Sequence, residues 1–176
     1  MNTKIFELLD FGIESNIKHG HSYLWEENYR EGNYISIPKL LENDPLSWRN
    51  KYLSWTNQIA NSKVNGLELY KHFKSKLIHD ESFWWQTLIA DKCPYKSKSP
   101  YYIIKIWIIE KLFYEGEFNV FIYRGENKVL AKILSNWIKE NSLGQFYWYK
   151  KKKNIALNNI FSQDKIPPII TAVIPL

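Results

Sequence analysis

Hydrophobic and polar residues follow a rhythm that changes along this chain. Residues 4–10 form a short apolar-rich run that suits a helix or a strand equally. Residues 22–25, SYLW, are aromatic-rich and lie between His19-Gly20 and a polar stretch, which predicts a short strand. Residues 26–33 are polar, with Gly32-Asn33 as a turn signal, and residues 34–37 alternate once before Pro38 stops them. Asn43-Asp44-Pro45 marks a helix start, an Asx cap followed by proline at the first helical position. Behind it Tyr52, Leu53, Thr56, Ile59 and Ala60 recur at three- and four-residue spacing, a single face that should end near Asn61. Gly66 is expected to open another short helix with Leu67, Tyr70, Phe73 and Leu77 in register, so that the two helices make a hairpin.

Residues 81–97, ESFWWQTLIADKCPYKS, sit at the centre of the pattern. Trp84 and Trp85 open an apolar helical turn, Asp91-Lys92 closes it and Pro94 stops it. From Pro100 onward, YYIIKIWIIEKLFY is too densely apolar for one exposed face, which predicts a helix buried on most sides and ended by Gly116. Residues 118–123, FNVFIY, form a β-rich run of the kind buried on both faces of a sheet. A turn at 124–127 leads to a helix over 129–139, with Leu130, Ile133, Leu134, Trp137 and Ile138 on one side. Gly144 stops it, and QFYWY at 145–149 gives another strand.

Strand, helix and strand joined so closely make a βαβ unit with a right-handed crossover. The fold class is therefore α/β. A mostly helical part over residues 1–115, with short N-terminal strands, leads into a partial Rossmann-like parallel sheet begun over 116–176. Residues 154–161 suit a short helix. The apolar ending IPPIITAVIPL leads us to expect a truncated chain, or a further domain packed against it.

Composition adds less. A hydrophobic share of 45% supports a real core, and the net charge of +6 favours anionic partners without bearing on fold. Cys93 is the single cysteine, so a disulfide within the chain and a multi-cysteine metal site are both excluded. The opening MNTKIFELLDFGIES does not read as a signal peptide, and no run of apolar residues is long enough to span a membrane. The expected location is the cytoplasm, with peripheral association at the inner face of the cytoplasmic membrane left open.

Candidate chemistry is concentrated in two places. Asp91, Lys92, Lys96 and Ser97 could hold a phosphate or a sugar through charge-assisted hydrogen bonds, or could be an ordinary helix end. Trp84 and Trp85 cannot both face one core, so one packs while the other can border a cleft or stack on a sugar. Arg124 and Asn127 stand at the carboxyl end of a predicted parallel strand, before a helix N-terminus, where ligands of open α/β sheets collect. No GxGxxG or GxxxxGK accompanies them, so dinucleotide and P-loop readings fail. His19, His21, Glu26 and Glu27 match no familiar metal spacing, and no metal site is expected. Phe146 to Tyr149 beside the lysines at 150–153 read as a buried strand followed by a solvated loop rather than as a nucleic-acid surface.

Several stretches in one order resemble a family of bacterial surface carbohydrate biosynthesis proteins: LWEENYREGNYISIPKLL, SWRNKYLSWTNQIA, NGLELYKHF, SFWWQTLIADKCPYKS and YYIIKIWIIEKLF. The resemblance spans roughly residues 20–176, with Asp91 where the family more often carries Glu. Family members are several times longer and look like two-domain glycosyltransferases of the GT-B arrangement. The resemblance implies the N-terminal portion of such a protein, acting in polysaccharide or O-antigen assembly and inactive alone. A nucleotide-sugar donor would serve the full-length protein, and this chain would carry no cofactor of its own. Its partners would be a glycan acceptor or nucleotide-sugar and a missing C-terminal domain. On this reading Trp84, Trp85, Lys92 and Lys96 shape the cleft, and no catalytic residue is carried over. The alternative is a non-catalytic module that binds nucleic acid or an assembly partner through a basic, aromatic surface.

Overall fold

A computed structural model describes residues 3–17, 21–74, 82–87 and 97–150. In chain order these form β1 (Ile5–Leu9), β2 (His21–Leu24), β3 (Tyr34–Ser36), α1 (Ile37–Asn43), α2 (Pro45–Asn61), β4 (Lys63–Val64), β5 (Leu67–Glu68), α3 (Leu69–His72), a 3-10 turn (Phe83–Gln86), α4 (Ser99–Glu115), β6 (Val120–Arg124), α5 (Lys128–Glu140) and β7 (Gln145–Tyr149). The main sheet has the order β3-β2-β1-β6-β7. β1 runs parallel to β6, with Phe6 opposite Phe121, and β6 runs parallel to β7, with Phe121 opposite Phe146. The expected fold class, α/β with a partial Rossmann-like parallel sheet, is the one observed. None of the described helices is long and apolar enough to cross a membrane.

The chain divides into two compact units, residues 1–23 with 118–176, and residues 24–117. The second boundary lies close to the expected 115/116 junction. The opening strand, however, joins the C-terminal unit, because β1 pairs in register with β6. Phe6 stacks on Tyr23 at 3.9 Å and on Phe121 at 4.9 Å, and meets Phe118 edge-on at 5.3 Å. β1 is buried along almost its whole length, which is why its residues are a continuous run rather than an alternation. Asn127 caps α5, whose buried stripe is Leu130, Ala131, Leu134 and Ile138. Ile133, expected on that stripe, is 43% exposed. At 100° per residue it lies about 110° from the stripe's centre, and small Ala131 takes the contact side instead.

In the other unit, Asp44 caps α2 with Pro45 behind it, and the helix ends at Asn61 as the sequence predicts. Tyr52, Thr56 and Ala60 are its buried face. Pro38 does more than stop β3: it opens α1, capped by the Ser36 hydroxyl accepting from the Lys39 N–H. The expected helix from Gly66 is largely replaced by a hairpin. Lys63-Val64 pairs antiparallel with Leu67-Glu68, and Asn65 and Gly66 have φ of 51° and 83°. A two-residue hairpin turn needs positive φ at both central positions, which Asn-Gly supplies at little cost. Only Leu69–His72 is then left as helix, and Leu77 lies outside the described residues.

α4 spans Ser99–Glu115 with Gly116 as its cap and exposes few of its side chains, as expected. Its middle holds a buried lysine. The Lys105 ammonium lies 4.0 Å from the Trp25 ring centroid and 4.7 Å from that of Tyr101, and 3.3 Å from the Glu26 carboxylate. Aromatic faces and one carboxylate offset part of the cost of burying that charge. Burial, followed by the nearby Glu26 carboxylate, pushes the Tyr101 phenol above its ordinary value.

Candidate functional site

Strand order reverses between β1 and β6, and the crevice outside the carboxyl ends of strands at such a reversal is where open α/β sheets bind ligands. Everything described next belongs to the unit that contains β1, β6 and β7. Asp10 follows β1 directly, and its N–H extends the ladder by donating to the Arg124 carbonyl at 2.9 Å. Its Oδ2 accepts from the Tyr123 phenol at 2.7 Å and from the Glu126 N–H at 3.1 Å. Tyr123, fully buried, in turn accepts from the Asn127 N–H at 3.2 Å. The Gly125 N–H donates to the Tyr149 carbonyl at 3.1 Å, and the Trp148 indole N–H donates to the Gly125 carbonyl at 2.9 Å. Asn127 Oδ1 accepts from the Leu130 N–H at 3.0 Å.

Position 125 has to be glycine. A Cβ there would lie 2.5 Å from Tyr123 Cζ, and closer still to the phenol oxygen and Asp10 Oδ2. The turn is therefore drawn tight against a carboxylate, not opened around a ligand. In phosphate-binding folds the N–H groups at this helix start point at an anion. Here those of Gly125, Glu126, Asn127 and Leu130 are each taken by an oxygen of the chain itself.

A second carboxylate lies within β1. Glu7 has no exposure, and its Oε1 accepts from Arg124 Nε at 2.5 Å. Its Oε2 accepts from the Ser15 hydroxyl at 2.5 Å and from the Ser22 hydroxyl at 3.0 Å. A buried carboxylate needs such partners, since an unpaired one would be several kcal/mol too costly to keep ionised. Arg124 also lies 4.6 Å from the Tyr149 ring centroid. Its charge is thereby paired within the unit, and the turn itself presents the partly exposed Asp10 and the exposed Glu126, with the exposed Lys128 opening α5. The Asp10 carboxylate suits ligands that donate hydrogen bonds, hydroxyl groups among them.

Of the residues singled out from sequence, Arg124 and Asn127 do reach this crevice, as a buried-pair cation and as a helix cap. Trp84 is buried in the other unit, packed with Ala60, Ile59, Leu69 and Tyr70. At 4% exposure it offers no surface for a ligand to stack on. The backbone of Trp85 shares the 3-10 turn, and its side chain lies outside the described residues, as do Asp91, Lys92 and Lys96. Ser97 Oγ accepts from the Ser99 N–H at 3.1 Å and donates to Ser99 Oγ at 2.9 Å at the start of α4. The lysines at 151–153, the helix expected over 154–161 and the apolar ending also lie outside the described residues. Among the described residues no three of His, Cys, Asp and Glu come together as a metal site. Directly after β7, Lys150 lies 4.5 Å from the Trp148 ring centroid, so that ring already has a cation on it.

Asp10, Tyr123 and Glu7 are absent from the sequence-derived set. Reading residues 4–10 as a strand would have placed Asp10 at its carboxyl end, and the fold rule would then have pointed to it. Comparison with protein-family models, with curated proteins and with solved structures finds no match to this chain.

Proposed function

We propose that this chain is the acceptor-side part of a glycosyltransferase-like protein of bacterial surface polysaccharide assembly. It would work in the cytoplasm, at the inner face of the cytoplasmic membrane. The observation that carries the reading is Asp10, a carboxylate held by Tyr123 and the Glu126 N–H at the point where strand order reverses. A carboxylate there accepts hydrogen bonds from sugar hydroxyls and opposes the phosphates of a nucleotide. On this reading the nucleotide-sugar donor is held by another domain, and this chain orients the acceptor glycan.

The test is calorimetric titration of the protein with neutral oligosaccharides, with a uridine diphosphate sugar and with a short RNA, each at low salt and at about 0.5 M salt. The expected result is oligosaccharide binding that survives high salt and weakens about tenfold in Asp10→Asn, the loss of one charge-assisted hydrogen bond. Tight binding of the nucleotide-sugar unaffected by Asp10→Asn would sink the reading. So would RNA binding that falls steeply with salt while oligosaccharides fail to bind, which would establish the basic module instead.

A further inference from the structure

The unit formed by residues 24–117 carries a groove of about 330 Å³ lined by Lys51, Ser54, Trp55 and Gln58 of α2 and by Trp107 and Glu110 of α4. Spacings of three and four residues align the α2 set on one helix face, beside the buried face of Tyr52, Thr56 and Ala60. Trp55 and Trp107 meet edge to face, with centroids 5.6 Å apart and planes at 81°. Buried Tyr52 supports both, at 5.7 Å from Trp55 and 6.3 Å from Trp107. Lys51 Nζ lies 5.0 Å from the Trp107 centroid and 5.5 Å from that of Trp48. Neither groove indole is fully buried. A pair of partly exposed tryptophans, backed by a buried tyrosine and ringed by an ammonium, a hydroxyl, an amide and a carboxylate, is an arrangement suited to recognition.

The ring of polar groups selects the ligand. A purely apolar ligand would desolvate Lys51 and Glu110 and leave Ser54 and Gln58 with only the long hydrogen bond, 3.4 Å, that they make to each other. Lys51 already sits on the indole faces, so a second cation is repelled. Glu110 opposes a phosphate while Lys51 attracts one, so the opposite charges give a nucleotide no net advantage even though its base could stack on an indole. A neutral pyranose satisfies every group. Its C–H face lies against an indole, and its hydroxyls donate to Glu110 and accept from Lys51 and Gln58. The volume is near the lower end of ligand pockets, about 300–1,000 Å³, and suits a small saccharide.

We infer that the α2–α4 groove is a binding site for a neutral saccharide. It belongs to the other unit from Asp10, and it does not depend on the function proposed for the Asp10 crevice. The test follows the indole N–H signals of Trp55 and Trp107 by NMR, assigned by Trp→Phe substitution. The methyl glycosides of glucose, galactose, mannose and N-acetylglucosamine are titrated in turn, with AMP as the competitor chemistry.

At least one glycoside should shift both indole signals saturably, with a Kd on the order of 1 mM, as a shallow site allows. Trp55→Ala should abolish the effect. Gln58→Ala and Glu110→Gln, which touch no buried contact, should each weaken it about five- to tenfold. Asp10→Asn should leave it unchanged, and Trp55→Ala should leave the Asp10-dependent binding unchanged, so each reading can fail separately. A flat titration with every glycoside would overturn the inference. So would glycoside binding indifferent to Trp55→Ala and Glu110→Gln, or AMP shifting the indoles more strongly than any sugar.

Discussion

Replacing Gly125 by alanine perturbs the crevice at its tightest point. The new methyl would lie 2.5 Å from Tyr123 Cζ and closer to the phenol oxygen and Asp10 Oδ2. Tyr123 has no exposure and cannot swing away, whereas Asp10 is partly exposed and can. Relief therefore breaks the Tyr123–Asp10 hydrogen bond, about 1.5–3 kcal/mol for a charged acceptor, and adds some of the roughly 1–3 kcal/mol that overpacking costs. A total of about 2–4 kcal/mol follows, or a fall in Tm of about 5–15 °C for a chain of this size. Urea unfolding of the wild type, Gly125→Ala, Tyr123→Phe and the double variant measures it as a cycle. With Phe at 123 one of the two oxygens crowding the new methyl is gone and no Tyr123–Asp10 bond is left to break, so the penalty for Gly125→Ala should fall to about half. A Gly125→Ala protein within about 0.5 kcal/mol of wild type would refute the reasoning, as would an equal penalty in the Tyr123→Phe background.

Glu7→Ala leaves the Arg124 cation and two hydroxyls without their shared acceptor. It should cost about 3–5 kcal/mol in urea unfolding, and Glu7→Gln clearly less; a cost under about 1 kcal/mol would mean the network is not holding the strand. Tyr23 is buried, and burial pushes its phenol up to about 12. The folded state therefore keeps a proton that the unfolded chain begins to lose near pH 10, so this contribution is whole below pH 10 and disappears as pH rises to about 12. Stability should fall by about 2 kcal/mol across that window, and Tyr23→Phe should remove that part of the slope. An unchanged slope in the variant would assign the alkaline loss to other groups.

Local signals carried the parts of this fold that local chemistry dictates. Asp44-Pro45 fixes the start of α2 because one side chain caps it and one ring presets its first φ, and both facts sit in adjacent letters. Gly116 and the QFYWY strand were legible for the same reason. The hairpin at Asn65-Gly66 carried an equally local signal, overridden by apolar spacing that continued through it. The partnership of β1 with β6 joins residues more than a hundred positions apart, and no local pattern encodes it. Residues 5–9 are buried on both faces, which erases the alternation that would have marked a strand. With β1 unassigned, Asp10 had no place at a strand end, and nothing marked Glu7 as buried. Arg124 and Asn127 were found by position, but their roles depend on those two unseen acids.

The Asp10 carboxylate changes what the fold can do. In a turn that binds phosphate, the backbone N–H groups wait for the ligand, and folding leaves them to water until it arrives. In this chain the Glu126 N–H and the Tyr123 phenol are already bound to a carboxylate that came with the polypeptide. A phosphate competing for the Glu126 N–H must displace Asp10, giving up two charge-assisted hydrogen bonds. At about 1.5 kcal/mol or more for each bond, that displacement alone weakens phosphate binding by a factor on the order of 100. A hydroxyl-bearing ligand needs no such displacement, because the carboxylate has further lone pairs to offer it. The residue that completes the turn therefore also sets the charge that any ligand at this crevice would meet.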